Sequence, residues 1–271
     1  MFLYLITYIL IRILNSFSFL MLPNSFIRNI VSELFYKPQK SIKKTRNIVV
    51  SLTTIPSRVN SLYSTLNSLI LQSKLPDQIY IGIPKISTRE SIPYVIPDKI
   101  KNHPLITIID LEKDYGPISK LITGLLSAES QFITVDDDTI YSYDLIEKLC
   151  LHSKPNTVIA TIGRNEKKKK IMGKTNEKIR TIEGYGGVLY DKSYFDIKTI
   201  GELIVDEKTK YNDDIMISYF LKRENIEIKL IDLVTKEPMA GVFMTQYTNP
   251  LWAMNESHDN YEIVSNQLKV F

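Results

Sequence analysis

Three consecutive carboxylates, Asp136, Asp137 and Asp138, follow a run of strand-forming residues, Phe132 to Val135. Oxygen-rich clusters of this kind suit hard divalent cations. Mg2+ and Mn2+ take one or two protein carboxylates and complete their shell with substrate phosphates. If the chain stays extended through the cluster, successive side chains alternate between faces. Asp136 and Asp138 would then share one face, with Asp137 turned to the other. The sequence thus predicts an Asp-x-Asp pair aimed at one site beyond the carboxyl end of a strand, where open α/β sheets bind ligands. The competing reading is a solvated acidic turn, which would need a cation, Lys or Arg to offset the repulsion among three adjacent carboxylates.

The elements that must position this cluster follow from periodicity. Short apolar, β-branched runs predict strands at 47–53, 78–83, 105–109, 131–135 and 157–162. Between them, apolar residues at helical spacing predict helices at 58–73 (Val59, Leu62, Leu66, Leu69 and Ile70), 118–128 and 143–152. Strands alternating with helices imply βαβ units and a parallel sheet. The second half reads differently. Residues 164–180 are polar and basic, with Lys167 to Lys170 consecutive, and predict an exposed, mobile loop. A glycine-bearing segment, Thr181 to Tyr190, precedes a helix at 213–223 and a strand at 226–233, and the tail from Pro238 reads as irregular.

The 271 residues are 44% apolar, enough for one large core plus a small appended segment. A net charge of +4 without a basic helix or aromatic-basic stripe argues against nucleic acid as a partner. The single cysteine, Cys150, rules out a disulfide framework and a cysteine-based zinc site, and its apolar helical setting reads as a buried thiol. Phe2 to Leu22 is almost wholly apolar, about the length of one membrane span, although Arg12 near its centre makes spanning costly. An interfacial helix, or one packed on the domain, is the alternative. The basic residues that follow would hold the main domain on the cytoplasmic side if the segment spans. The expected organisation is a hydrophobic, membrane-associating segment at 1–37, a basic linker at 38–46 and a catalytic-type domain at 47–271.

Four further segments accompany the acidic cluster: Ser51-Leu52-Thr53-Thr54-Ile55-Pro56-Ser57-Arg58, Asp114-Tyr115-Gly116-Pro117-Ile118-Ser119-Lys120, Glu183-Gly184-Tyr185-Gly186-Gly187, and Asn212-Asp213-Asp214. In this order the set resembles the nucleotide-sugar glycosyltransferases of the GT-A fold, most closely the inverting, family-2-like branch, over residues 47–235. The resemblance implies an α/β, Rossmann-like fold with a mostly parallel sheet flanked by helices. It also implies Mn2+ or Mg2+ as cofactor, a nucleotide diphosphate sugar as donor, and a glycan, lipid or protein hydroxyl as acceptor.

It implies roles for particular residues as well. Thr53, Thr54 and Arg58 match the nucleoside loop. Arg58 would pair with phosphate or base through its rigid donor fork, unless it is a solvent-exposed first-turn residue. Lys120, at a helix start, would face the diphosphate, unless it is an ordinary surface lysine. Asp138 would be the main cation ligand, with Asp136 reaching the ribose or the same cation and Asp137 beside them. Gly186 and Gly187 would let backbone pass close to the donor sugar, or simply form a turn and a bulge. Asp214 matches the family's base, with Asp213 and Glu183 as rival carboxylates, and the pair 213–214 also suits plain helix capping. His258 stands where a late residue completes the metal shell, unless it simply faces solvent, and Trp252 would stack on a sugar or pack inside. Two other readings remain: a nucleotidyltransferase that makes the sugar nucleotide, although 51–58 lacks the glycine-rich loop of that class, and a non-catalytic, membrane-attached binding protein.

Overall fold

The computed structural model describes residues 48–128, 130–202, 210–233, 239–241 and 266. The N-terminal segment, the linker, Trp252 and His258 lie outside the described residues. Among the described residues, no helix is long and apolar enough to cross a membrane.

In chain order the elements are β1 (Ile48–Thr53), α1 (Leu62–Ile70), β2 (Gln78–Pro84), α2 (Asp98–Lys101), β3 (Ile106–Leu111), α3 (Ser119–Ser127), β4 (Gln131–Thr134), β5 (Thr139–Tyr141), α4 (Leu145–Leu151), β6 (Thr157–Ala160), β7 (Ile162–Asn165), β8 (Lys170–Met172), β9 (Ile179–Ile182), β10 (Val188–Asp191), α5 (Ile197–Glu202), α6 (Asp213–Arg223), β11 (Glu227–Leu230) and β12 (Met239–Gly241). Seven strands form one sheet in the order β11-β6-β10-β4-β1-β2-β3. Neighbours run parallel except at β10, which is antiparallel to both β4 and β6. The fold is therefore a mixed α/β fold with a mostly parallel sheet, as the alternation of elements predicts.

Period-two alternation divides the sheet's side chains between two cores. Ile48, Val50, Leu52, Ile133, Ile159 and Leu189 face α1 and α4 through Leu62, Leu66, Leu69, Leu145 and Leu149. Val49, Phe132, Val158, Ala160, Val188 and Tyr190 face α3 and α6 through Leu121, Leu125, Met216, Ile217 and Phe220. Because both faces are covered, the central strands read as continuous apolar runs, which is why the sequence declares them so clearly.

The segment expected to be a mobile loop, 164–180, instead contributes to a three-stranded antiparallel sheet ordered β8-β7-β9. Its strands are only three or four residues long. Polar residues on such short, partly solvated strands mask their alternation. The four lysines are exposed, as expected, but Lys167 to Lys169 form the tight β7–β8 turn. There Asn165 Oδ1 accepts the backbone N–H groups of Lys167 and Lys169 at 3.0 and 2.9 Å, a side-chain substitute for a backbone turn. Two smaller differences concern helix starts and burial. Pro56–Ser61 is a 3₁₀ turn, so the first helix begins at Leu62 rather than Arg58. Cys150 is half-buried rather than buried.

Candidate active site

The loops leaving β1, β2, β3 and β4 gather at the carboxyl edge of the parallel strands. Because β10 runs the other way, the turn before it, Gly184–Gly186, arrives at the same edge. The amino end of α6 completes the rim.

The strand conformation ends at Thr134, so Asp136, Asp137 and Asp138 occupy a turn rather than an extended run. The expected alternation is accordingly corrected by the partners each carboxylate finds. Arg58 Nη1 donates to Asp137 Oδ1 and Asp138 Oδ2, both at 3.0 Å. Asp137 is the buried member of the three. Its Oδ2 accepts from Thr54 Oγ1 at 2.6 Å and its backbone carbonyl from Thr65 Oγ1 at 2.8 Å. Asp136 instead accepts from Lys120 Nζ at 2.7 Å. The side chains of Asp136 and Asp138 each remain 30% exposed, so these two are the carboxylates of the cluster left open to solvent.

Burial and the neighbouring Asp137 and Asp136 push the Asp138 carboxyl up to about 6, against the downward pull of Arg58 and Lys120. Arg58 is buried and paired, which overturns the reading of it as a solvent-exposed residue. Burial opposes its charge, but Asp137 and Asp138 hold its proton more tightly than usual.

Lys120 is likewise no surface lysine. Asp114 Oδ1 accepts the N–H of Gly116, whose φ of +72° starts the Gly116–Ile118 turn that delivers Lys120 to the base of α3. Its ammonium bridges Asp136 and Asp213, the latter at 2.9 Å as an ion pair outside hydrogen-bond geometry. Burial works against the charged form, yet Asp136, Asp213 and Asp214 raise its proton affinity well above the usual value. It therefore holds two carboxylates together.

Asp214 Oδ1 accepts the N–H of Gly184 at 2.9 Å. Burial, then Asp213, pushes its carboxyl well above the ordinary range. A Cβ on Gly184 would stand 2.7 Å from that oxygen and 3.1 Å from Lys120 Nζ, so glycine is required there. Helical geometry would rotate Asp213 and Asp214 about 100° apart, but both reach the same neighbourhood, because Lys120 and Gly184 lie between them.

Other expected residues serve the scaffold. Thr53 Oγ1 donates to the Gly82 carbonyl at 2.8 Å and ties β1 to β2. Gly186 packs against Thr161, which donates to its carbonyl at 2.7 Å, and Gly187, at φ +85°, packs against Leu145. Glu183 is paired with Arg164. Tyr141 was not singled out by sequence, although its hydroxyl accepts the Asp136 N–H at 2.8 Å and donates to the Tyr185 carbonyl at 3.1 Å. Only its closeness to the acidic cluster could have flagged it.

Among the described residues, no group of three or more His, Cys, Asp or Glu side chains converges in a metal-holding arrangement. A two-carboxylate site does fit the donors present. Asp136 and Asp138 each spend one oxygen on a neighbouring cation and keep the other outside those bonds. The charge balance also points that way, since among the described residues Asp136, Asp137, Asp138, Asp213 and Asp214 crowd around Arg58 and Lys120, with Arg89 acting on Asp137, five acids against three cations.

No protein-family model matches the chain, and no curated protein matches it. Similar solved structures include a 4-diphosphocytidyl-2C-methyl-D-erythritol synthase from Anaerococcus prevotii, at 14% identity, 83% of this chain, 99% of that chain and a TM-score of 0.46. GalNAc-T7 with UDP, GalNAc and Mn2+ is similar at 11% identity over 75% of this chain and 47% of its own, with a TM-score of 0.47. The mannosyltransferase PcManGT from Pyrobaculum calidifontis, in complex with GDP-Man and Mn2+, gives 13%, 85%, 70% and 0.44. Overlap at this level leaves the chemistry to be read from this chain's own residues.

Proposed function

We propose that the chain is a divalent-cation-dependent glycosyltransferase that moves a hexose from a nucleotide diphosphate sugar to an acceptor hydroxyl with inversion. The observation that carries this reading is the charge excess at the sheet edge: among the described residues five clustered carboxylates face three cations, Arg58, Lys120 and Arg89, and two of the acids are held above their usual proton affinity. Such a site is incomplete without added positive charge. Asp136 and Asp138 would hold Mn2+ or Mg2+ through their open oxygens. When bound, the cation would neutralise charge on the departing nucleoside diphosphate. Asp137, fixed by Thr54, Thr65 and Arg58, keeps the turn rigid so that its neighbours stay aimed outward.

Asp214 is assigned as the base that removes the acceptor's proton. The Gly184 N–H fixes one of its oxygens, and burial beside Asp213 raises its proton affinity, which favours uptake of the acceptor's proton. Asp213 is committed to Lys120 and Glu183 to Arg164, which leaves Asp214 as the carboxylate free of an ion pair of its own. His258 would be a further cation ligand. Residues 1–22 would attach the protein to a membrane, with the domain on its cytoplasmic side.

The test is release of nucleoside diphosphate from a panel of nucleotide sugars with Mn2+, Mg2+ or EDTA. Release that requires the cation and is lost in Asp138→Asn supports the reading. Turnover of a nucleoside triphosphate with a sugar phosphate instead, or release unaffected by EDTA, would overturn it.

A further inference from the structure

The loop after β2 carries a guanidinium that the reading above leaves without a role. Among the described residues, Arg89 has Nε and Nη2 buried with no hydrogen-bond partner. Those two nitrogens form one edge of the guanidinium, the edge that grips two oxygens of one anion side by side. Its position is built from both flanks. On one side, Thr88 donates its N–H and Oγ1 to Asp114 Oδ2, at 2.7 and 2.9 Å. On the other, the Glu90 carboxylate accepts the N–H and Oγ of Ser57, beside Arg58. The side chain is held near the two groups that shape the cluster: Arg58 is its main like-charged neighbour, and Asp137 acts on it from the opposite sign. Burial and Arg58 weaken its hold on its proton, as expected of a cation still waiting for a counter-charge. Arg58 and Lys120, which hold the acidic cluster, already have carboxylate partners.

We propose that Arg89 is an anion-binding residue whose Nε–Nη2 edge takes two oxygens of the donor's diphosphate. This rests on the nucleotide diphosphate sugar reading for the choice of anion. A diphosphate lying against the open oxygens of Asp136 and Asp138 through a cation, and against Arg89 directly, would satisfy both the acidic excess and the unpaired guanidinium.

Isothermal titration of the full chain and its Arg89→Gln variant with inorganic pyrophosphate, UDP, GDP and uridine, in EDTA and in Mn2+, tests this. Arg89→Gln should weaken pyrophosphate and the nucleoside diphosphates about tenfold or more, leave uridine unchanged, and melt no lower than the wild type when ligand-free. Arg89→Lys, which keeps charge without the fork, should bind pyrophosphate more weakly than wild type. The proposal is overturned if pyrophosphate binds both proteins equally or neither, if uridine is lost as fully as UDP, or if Arg89→Gln melts well below wild type. Arg89-dependent pyrophosphate binding without turnover of any nucleotide sugar would sink the transferase reading and keep the anion site. Turnover with an Arg89→Gln enzyme of unchanged KM would do the reverse.

Discussion

Replacing Lys120 by methionine tests the electrostatic construction of the cluster without assuming any activity. Lys120 is 5% exposed and lies 2.7 Å from Asp136 and 2.9 Å from Asp213. Methionine keeps most of the buried chain but removes the charge, leaving two carboxylates facing each other without compensation. Breaking a buried pair in this way costs about 3–5 kcal/mol. With roughly 2–4 °C per kcal/mol for a domain of this size, the melting temperature should fall by about 6–20 °C at pH 7.5.

The pH dependence gives the sign. The lysine's own proton affinity is raised well above its usual value, so its contribution is fully present through neutral pH and is lost only as pH rises through that raised value. On the acid side the carboxylates decide. Lys120 is among the cations that hold the Asp214 carboxyl down, so without it Asp214 protonates more readily. The deficit should therefore shrink at pH 4.5, where acids take up protons. Thermal melts of both proteins at the two pH values make the comparison, and Lys120→Met combined with Asp213→Asn should recover part of the loss. An unchanged melting temperature at pH 7.5, or a deficit equally large at pH 4.5, would show that charge is not what Lys120 contributes.

The raised Asp138 carboxyl favours its protonated form in the fold, so ligand-free stability should decline as pH rises through about 6. Asp138→Asn should accordingly melt higher than wild type at pH 8 but not at pH 4, and it should lose the stabilisation that Mn2+ and donor give the wild type. Mn2+ affinity itself should weaken by up to about tenfold per pH unit below 6, as protons compete for that oxygen. Asp214→Asn should lower transfer by roughly 10²–10⁴-fold with donor affinity near wild type, measured by product formation and titration. Deletion of residues 1–37 should move the protein from the membrane fraction to the soluble one while turnover of a soluble acceptor persists; retention in the membrane fraction would refute attachment through that segment.

The strands of the parallel half were legible because burial on both faces leaves an unbroken apolar run, as in Ile48–Thr53 and Gln78–Pro84. The acidic cluster was legible from residue type alone. Its internal arrangement was not, since Asp137 and Asp138 are organised by Arg58, 79 and 80 residues earlier in the chain. The same holds for Lys120, whose charge reads as solvated in any local window and is buried only because Asp213 arrives from α6. Arg89 carried no sequence signal at all, because an unpaired guanidinium is a property of what fails to surround it. The antiparallel course of β10 was equally hidden: four residues, Val188–Asp191, carry no mark of direction.

That reversed strand also sets a timetable for assembly. The pairings of β1, β2, β3 and β4 need nothing beyond residue 134, so this half of the sheet can close early in synthesis. Among the described residues the strand β6, with Thr157–Ala160 wholly buried in the finished protein, pairs with β10 and β11, and both lie further along the chain. At synthesis rates of about 5–20 residues per second, β6 spends on the order of seconds as an unpaired apolar edge. Among the described strands, β10 is what then joins it to the half already formed. A lesion in Val188–Asp191 would thus lower the yield of folded protein, leaving two half-sheets with exposed edges open to association with other chains.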